Sequence, residues 1–223
     1  MKIENFNKEY LQYLFPQRTR LTTEYKLTHD SSQYEIDDAI TLMAQKDFNM
    51  IEEYLPTQCN KSLDIGCGLG LINILLYDRY KSTELYLLDK TELNVDEISG
   101  IHEKYKFYNS MQAAKETIIS NGVPEDKLKL YETTDCKDLF NIKFDVIFSL
   151  LSCGWHYPIS TYIDLINNTL SDDGILVLDL RHNTDQLDTL TSYFMLEKQI
   201  YNYTESKHTG GNIGDRYIFK RKI

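Results

Sequence analysis

Leu63-Asp64-Ile65-Gly66-Cys67-Gly68-Leu69-Gly70 runs from a short apolar stretch straight into three glycines at alternate positions. Residues 61–65 read as a buried strand and residues 71–80 resume as a helix, so the local order is strand, tight turn, helix. Gly66 and Gly68 allow backbone angles closed to other residues and let the main chain approach a ligand with no Cβ in the way. A turn of this kind that opens a helix suits a nucleotide-type ligand. The dinucleotide fingerprint requires Gly-x-Gly-x-x-Gly, and here position 71 is Leu; that spacing argues against a nicotinamide-dependent oxidoreductase. Asp64 precedes the first glycine by two residues. Its carboxylate would attract an ammonium group such as that of a methionine moiety, and would repel a pyrophosphate.

Working outward, residues 84–88 predict a second strand that ends on Asp89. This is about twenty residues past the glycine loop, the distance at which a carboxylate accepts both hydroxyls of a ribose. Residues 127–132 predict a third strand, followed by Asp135, which is a candidate for an adenine amino group; its neighbours Thr134 and Cys136 offer backbone contacts to the same end. Cys67, Leu69 and Gly70 in the turn, Lys90 after the second strand and Leu150 after the fourth complete the expected cofactor-binding set.

Elsewhere the pattern alternates between strand and helix. Over residues 37–55, Ile40, Ala44, Phe48, Ile51 and Leu55 recur at helical spacing, with Pro56 as the stop. Residues 110–121 place Met111, Ala114 and Ile118 on one helical face before Gly122 and Pro124. Residues 144–149 predict a fourth strand and residues 162–170 a helix. After the Asp173-Gly174 turn comes Ile175-Leu176-Val177-Leu178-Asp179, an apolar run suited to a strand buried on both faces. Two further strands, near residues 193–203 and 215–222, are joined across Gly210-Gly211. Such alternation predicts a three-layer α/β fold with a mostly parallel sheet.

At 223 residues the chain fits one domain. We divide it into an extension, residues 1–36, and a ligand-binding domain, residues 37–223. The net charge of −10 opposes a nucleic-acid backbone and favours a small-molecule partner; the dense basic candidates are Arg18 with Arg20, and Lys220-Arg221-Lys222. No apolar run reaches the length of a membrane span, and the first residues lack a signal-peptide pattern, so a cytoplasmic protein without membrane contact is expected. Cys59, Cys67, Cys136 and Cys153 include no Cys-x-x-Cys pair and read as small buried side chains.

With these segments in place, the chain resembles the class I S-adenosylmethionine-dependent methyltransferases. The resemblance rests on residues 63–70, on Leu88-Asp89, on Phe144-Asp145-Val146-Ile147 and on Asp173-Gly174-Ile175-Leu176, and it spans roughly residues 40–222. It implies a Rossmann-like, seven-stranded sheet whose last strand is antiparallel, with S-adenosylmethionine as methyl donor and S-adenosylhomocysteine as product. A catalytically silent cofactor-binding partner protein is the alternative that keeps the same fold.

In an open α/β sheet the ligand lies beyond the carboxyl ends of the strands, so the segment Ser149-Leu150-Leu151-Ser152-Cys153-Gly154-Trp155-His156-Tyr157-Pro158 should meet the transferred methyl group. The Asn/Asp-Pro-Pro-Tyr signature of amino methyltransferases is absent from it. Transfer from a sulfonium is an in-line displacement that needs mainly alignment, plus a base when the acceptor carries a high-pKa proton. His156 is the candidate base, or equally an orienting hydrogen-bonding group. Trp155 and Tyr157 form an apolar wall or anchor the loop. Arg181, just past the fifth strand, offers a cation to an anionic acceptor or pairs with a surface carboxylate. The fourth-strand segment lacks the acidic ligand of catechol-type enzymes, so no metal is expected. Residues 1–36 and residues 91–108 exceed a minimal core and are read as additions that cap the acceptor pocket. Finally, Lys106-Phe107-Tyr108-Asn109-Ser110-Met111, Asn121-Gly122-Val123-Pro124 and residues 154–158 are similar to small bacterial methyltransferases of surface-glycan and capsule biosynthesis. That similarity implies O-methylation of a sugar, or of a phosphate or phosphoramidate group on one.

Overall fold

The computed structural model describes residues 1–14, 21, 22, 24–28, 30–91, 109–182, 184–204 and 214–222, the last three of 184–204 by backbone alone. Arg18, Arg20, residues 92–108 and the Gly210-Gly211 connection lie outside the described residues. Seven strands form one sheet: β1 (Lys61–Ile65), β2 (Glu84–Asp89), β3 (Leu128–Glu132), β4 (Phe144–Ser149), β5 (Leu170–Arg181), β6 (Phe194–Thr204) and β7 (Gly214–Arg221). Their order across the sheet is β3-β2-β1-β4-β5-β7-β6. The strands from β3 to β5 run parallel, and β7 is antiparallel to both of its neighbours.

Side chains alternate between the two faces of a strand, and each face is covered. Leu85, Leu87, Val146, Phe148, Ile175, Val177 and Ile218 pack beneath α1 (Gln33–Asn49), α2 (Leu71–Tyr80) and α3 (Met111–Ser120). Leu63, Ile65, Leu88, Ile147, Leu176, Leu178 and Phe219 pack beneath α4 (Ile163–Thr169) and α5 (Gln186–Tyr193). Burial on both faces is why Leu85–Leu88 of β2, Val146–Phe148 of β4 and Ile175–Leu178 of β5 read as apolar runs.

Two boundaries differ from the sequence expectation. Helix α1 begins at Gln33 rather than near residue 37, because Ser32 and Glu35 form a reciprocal capping box: the Glu35 N–H donates to Ser32 Oγ at 3.3 Å and the Ser32 N–H to Glu35 Oε2 at 2.7 Å. It ends at Asn49, and Ile51 and Leu55 keep the apolar rhythm from a separate 3-10 turn, Glu52–Tyr54. The Asp173-Gly174 turn proves to be a bulge inside β5, where the pairing jumps from Phe144 with Leu170 to Val146 with Ile175.

Residues 1–14 are packed into this body. Ile3, Phe6 and Leu14 are buried, the last in a 3-10 helix, Lys8–Leu14. The Asp37 carboxylate on α1 accepts the N–H groups of Asn5 and Phe6, each at 2.9 Å, and Thr41 Oγ1 accepts that of Ile3 at 2.9 Å. No described helix is long and apolar enough to cross a membrane.

Candidate active site

The glycine turn leaves the end of β1 at the middle of the sheet. Gly66, Gly68 and Gly70 all adopt positive φ, at 75°, 53° and 66°, a conformation costly for any residue with a Cβ. At Gly66 a second constraint applies, since a Cβ there would lie 2.0 Å from Ser152 Oγ. The missing side chain lets the loop after β4 press directly onto the turn. The Gly66 N–H donates to the Leu88 carbonyl at 2.7 Å and so ties the turn to the end of β2.

Asp89 closes β2 with its carboxylate beside the turn. One oxygen accepts the Gly68 N–H at 2.8 Å and the other the Lys90 N–H at 2.8 Å. Burial raises its pKa above the usual carboxylate range, and the two N–H donors oppose the rise. Asp64 is buried, and Asn73 Nδ2 in the first turns of α2 donates to it at 2.6 Å. Burial drives the Asp64 pKa well upward against that hydrogen bond.

The loop after β4 is wound tightly. Ser149 Oγ donates to the Ile65 carbonyl at 2.6 Å and accepts the Cys153 N–H at 2.9 Å, so one hydroxyl joins β1 to the loop. The Ser152 carbonyl accepts three N–H groups, from Trp155, His156 and Tyr157, at 3.0, 2.7 and 3.1 Å. Leu151 sits at φ 61° to make the bend.

These parts enclose one cleft at the carboxyl ends of β1, β2 and β4. Its walls include Asp64, the turn from Gly66 to Gly70, Asp89, Lys90, Asn109, Leu150, His156 and Tyr157. Helix α1 adds Met43, Ala44 and Asp47, and the N-terminal segment adds Tyr13 and Leu14. The turn, both acidic residues, Lys90, Leu150, His156 and Tyr157 are thus brought together as the sequence suggests.

Five other residues are placed differently. Trp155 is turned into the protein, 3% exposed, with its ring where a Cβ on Gly214 would be, 2.1 Å away. The Arg181 guanidinium lies 5.5 Å from the centre of the Trp155 ring, and neither side chain lines the cleft. The cation lies over the ring face, a cation–π contact. Thr134 and Asp135 are exposed at the end of β3, Cys136 is partly buried there, and none of the three lines the cleft. Cys59 and Cys153 are buried as expected, whereas Cys67 and Cys136 are only partly so. Among the described residues, no group of three or more His, Cys, Asp or Glu is placed to hold a metal ion.

Residue spacing did not disclose Asn73, Ser149, Asp47 or the contribution of residues 13 and 14. Asn73 alone left a trace, as the one polar residue in the apolar run Leu71-Ile72-Asn73-Ile74-Leu75-Leu76. Below Asp47 the fully buried Arg216 grips Asp179 with two bonds, at 2.7 and 3.0 Å, and donates to the Asp47 carbonyl at 3.0 Å. This pair fastens β5 and β7 to α1 under the cleft.

The same frame recurs in solved methyltransferases. StiE O-MT superimposes with a TM-score of 0.61 at 12% identity, over 100% of this chain and 84% of that one. The fold is that of the Rossmann-like methyltransferases. The O-methyltransferase TomG from Streptomyces achromogenes, solved in complex with SAM, gives 0.52 at 11% identity, over 97% of this chain and 91% of that one. The M1A22 tRNA methyltransferase TrmK of B. subtilis gives 0.55 at 13% identity, over 79% and 66%. No family model and no curated protein matches the chain. Because the fold is shared by O-methyltransferases and a tRNA methyltransferase, it does not by itself select an acceptor.

Proposed function

We propose that the chain is a methyltransferase that takes S-adenosylmethionine in this cleft and methylates an oxygen of a small polar acceptor, a sugar or a phosphate-bearing group on one. The observation that carries the reading is Asp89, held by the Gly68 and Lys90 N–H groups at the edge of the glycine turn. This geometry leaves lone pairs on both carboxylate oxygens for two vicinal hydroxyls. Gly66 and Gly68 keep the floor open to the donor, and Asp64, steadied by Asn73, accepts from an ammonium group whose positive charge offsets the burial that favours the protonated acid. The bound donor supplies an activated methyl group on a sulfonium.

The acceptor then enters from the side of β4, where His156 and Tyr157 line the cleft. His156 removes or orients the acceptor proton, and Tyr13 and Leu14 close the cleft from above α1. Titration calorimetry should show binding of both S-adenosylmethionine and S-adenosylhomocysteine; binding of NAD in their place overturns the reading. Release of S-adenosylhomocysteine in the presence of a panel of sugars and sugar phosphates reads turnover. His156→Ala is expected to lower that turnover by about 10²–10⁴ with cofactor affinity unchanged. A chain that binds the cofactor and turns over no acceptor would be the silent binding protein instead.

A further inference from the structure

Asn109 stands in the cleft wall immediately before α3, with 9% of its surface exposed. Among the described residues, neither its Nδ2 nor its Oδ1 has a hydrogen-bond partner. Buried carboxamides are almost always paired, and one left with both ends open needs a reason. Its position is well fixed. Ser110 caps α3 by accepting the Ala113 N–H at 3.2 Å, and the Met111 N–H points to Thr91 Oγ1 at 3.4 Å. Thr91 in turn bonds Glu132 at the end of β3, and Met111 Sδ lies 3.8 Å from Cys67 Sγ in the glycine turn. Asn109 therefore belongs to the β2 side of β1, with Asp89 and Gly68. His156 and Tyr157 belong to the β4 side.

We propose that Asn109 is a second polar contact for the nucleoside half of the bound donor, complementary to Asp89. A carboxylate can only accept, so each ribose hydroxyl that donates to Asp89 keeps lone pairs that need a donor of their own. The Asn109 Nδ2 supplies that donor. Asp89 takes the two hydroxyl protons and Asn109 donates to a hydroxyl oxygen, so the vicinal diol is satisfied in both directions. This inference rests on the methyl-donor reading of the cleft.

Asn109→Leu, close in volume and apolar, and Asn109→Ala test it by calorimetry with two probes, S-adenosylhomocysteine and 5′-methylthioadenosine, which lacks the amino-acid half. Both variants should weaken both probes by a similar factor of about tenfold or more. Their ligand-free melting temperatures should match or exceed the wild type, because an unpaired buried amide is removed. Unchanged affinities overturn the proposal, and so does weakening confined to S-adenosylhomocysteine, which would move the contact to the amino-acid half. A lowered ligand-free melting temperature in both variants with affinity intact assigns the amide a structural role and also overturns it. Failure of the wild type to bind either probe refutes the donor reading itself, a result separate from these.

Discussion

Asp89 carries a proton equilibrium that binding should report. Burial raises its pKa, so it holds its proton to a higher pH than an ordinary carboxyl of about 3.9. Hydroxyls donate to the ionised form, and protonation replaces an acceptor with a donor. The affinity for S-adenosylhomocysteine should therefore be greatest above the raised pKa and fall as pH drops through it, by up to about tenfold per unit for one linked proton. The ligand-free fold has the opposite sign. Between the unfolded and folded pKa values the native state binds more protons, so this group's contribution to stability declines as pH rises through that window. Asp89→Asn should bind weakly with a flatter pH profile; a profile as steep as the wild type's would assign the proton to another group, with Asp64 the first suspect because it is also raised by burial. The meeting of Asp64, the glycines and Asp89 in one cleft is legible in sequence because their placement follows from spacing along one strand-turn-helix-strand segment. Asn73 and Asn109 are not, because a partner or the want of one is decided in three dimensions. Trp155 and Arg181 show the same limit from the other side. They neighbour the cleft in sequence, but the bend that directs three N–H groups onto the Ser152 carbonyl turns the indole inward.

At the scale of elements, the loop after β4 is held against the glycine turn by Ser149, whose buried hydroxyl serves as donor to Ile65 and acceptor for Cys153. Ser149→Ala leaves a buried carbonyl and a buried N–H without this partner, at a cost of about 1–3 kcal/mol. Urea unfolding should show that loss as a lower midpoint with an unchanged slope. Because the same bonds place residues 150–157 over Gly66, turnover should fall more than cofactor affinity does. Equal losses in both would place the serine's influence on the glycine turn instead of the acceptor side. The alternation of strands and helices, and the covering of the sheet on both faces, are readable from apolar periodicity, since each element buries a fixed stripe; the order of strands across the sheet is not. Apolar rhythm does not show the start of α1, although Ser32 and Glu35 stand three residues apart in the sequence. Apolar rhythm marks where a helix is buried, while its cap marks where it begins.

At the scale of the whole molecule, residues 1–14 share one apolar core with α1, α2 and the sheet, and they add Tyr13 and Leu14 to the cleft. The N–H groups of Asn5 and Phe6 on Asp37 tie this segment to α1. Its contribution to stability should be that of a core element. Phe6 is 1% exposed, and Phe6→Ala should cost about 3–5 kcal/mol from lost burial and the cavity left behind. For a chain of this size that corresponds to a fall of roughly 6–20 °C in Tm. Tyr34 is a control from the adjoining helix at 67% exposure, and Tyr34→Ala should stay within about 0.5 kcal/mol of the wild type. Calorimetric melting distinguishes the cases. A Phe6→Ala protein that melts with the wild type would show that the N-terminal segment detaches from the body in solution, and its place over the cleft would then be a closure made only when ligand is bound.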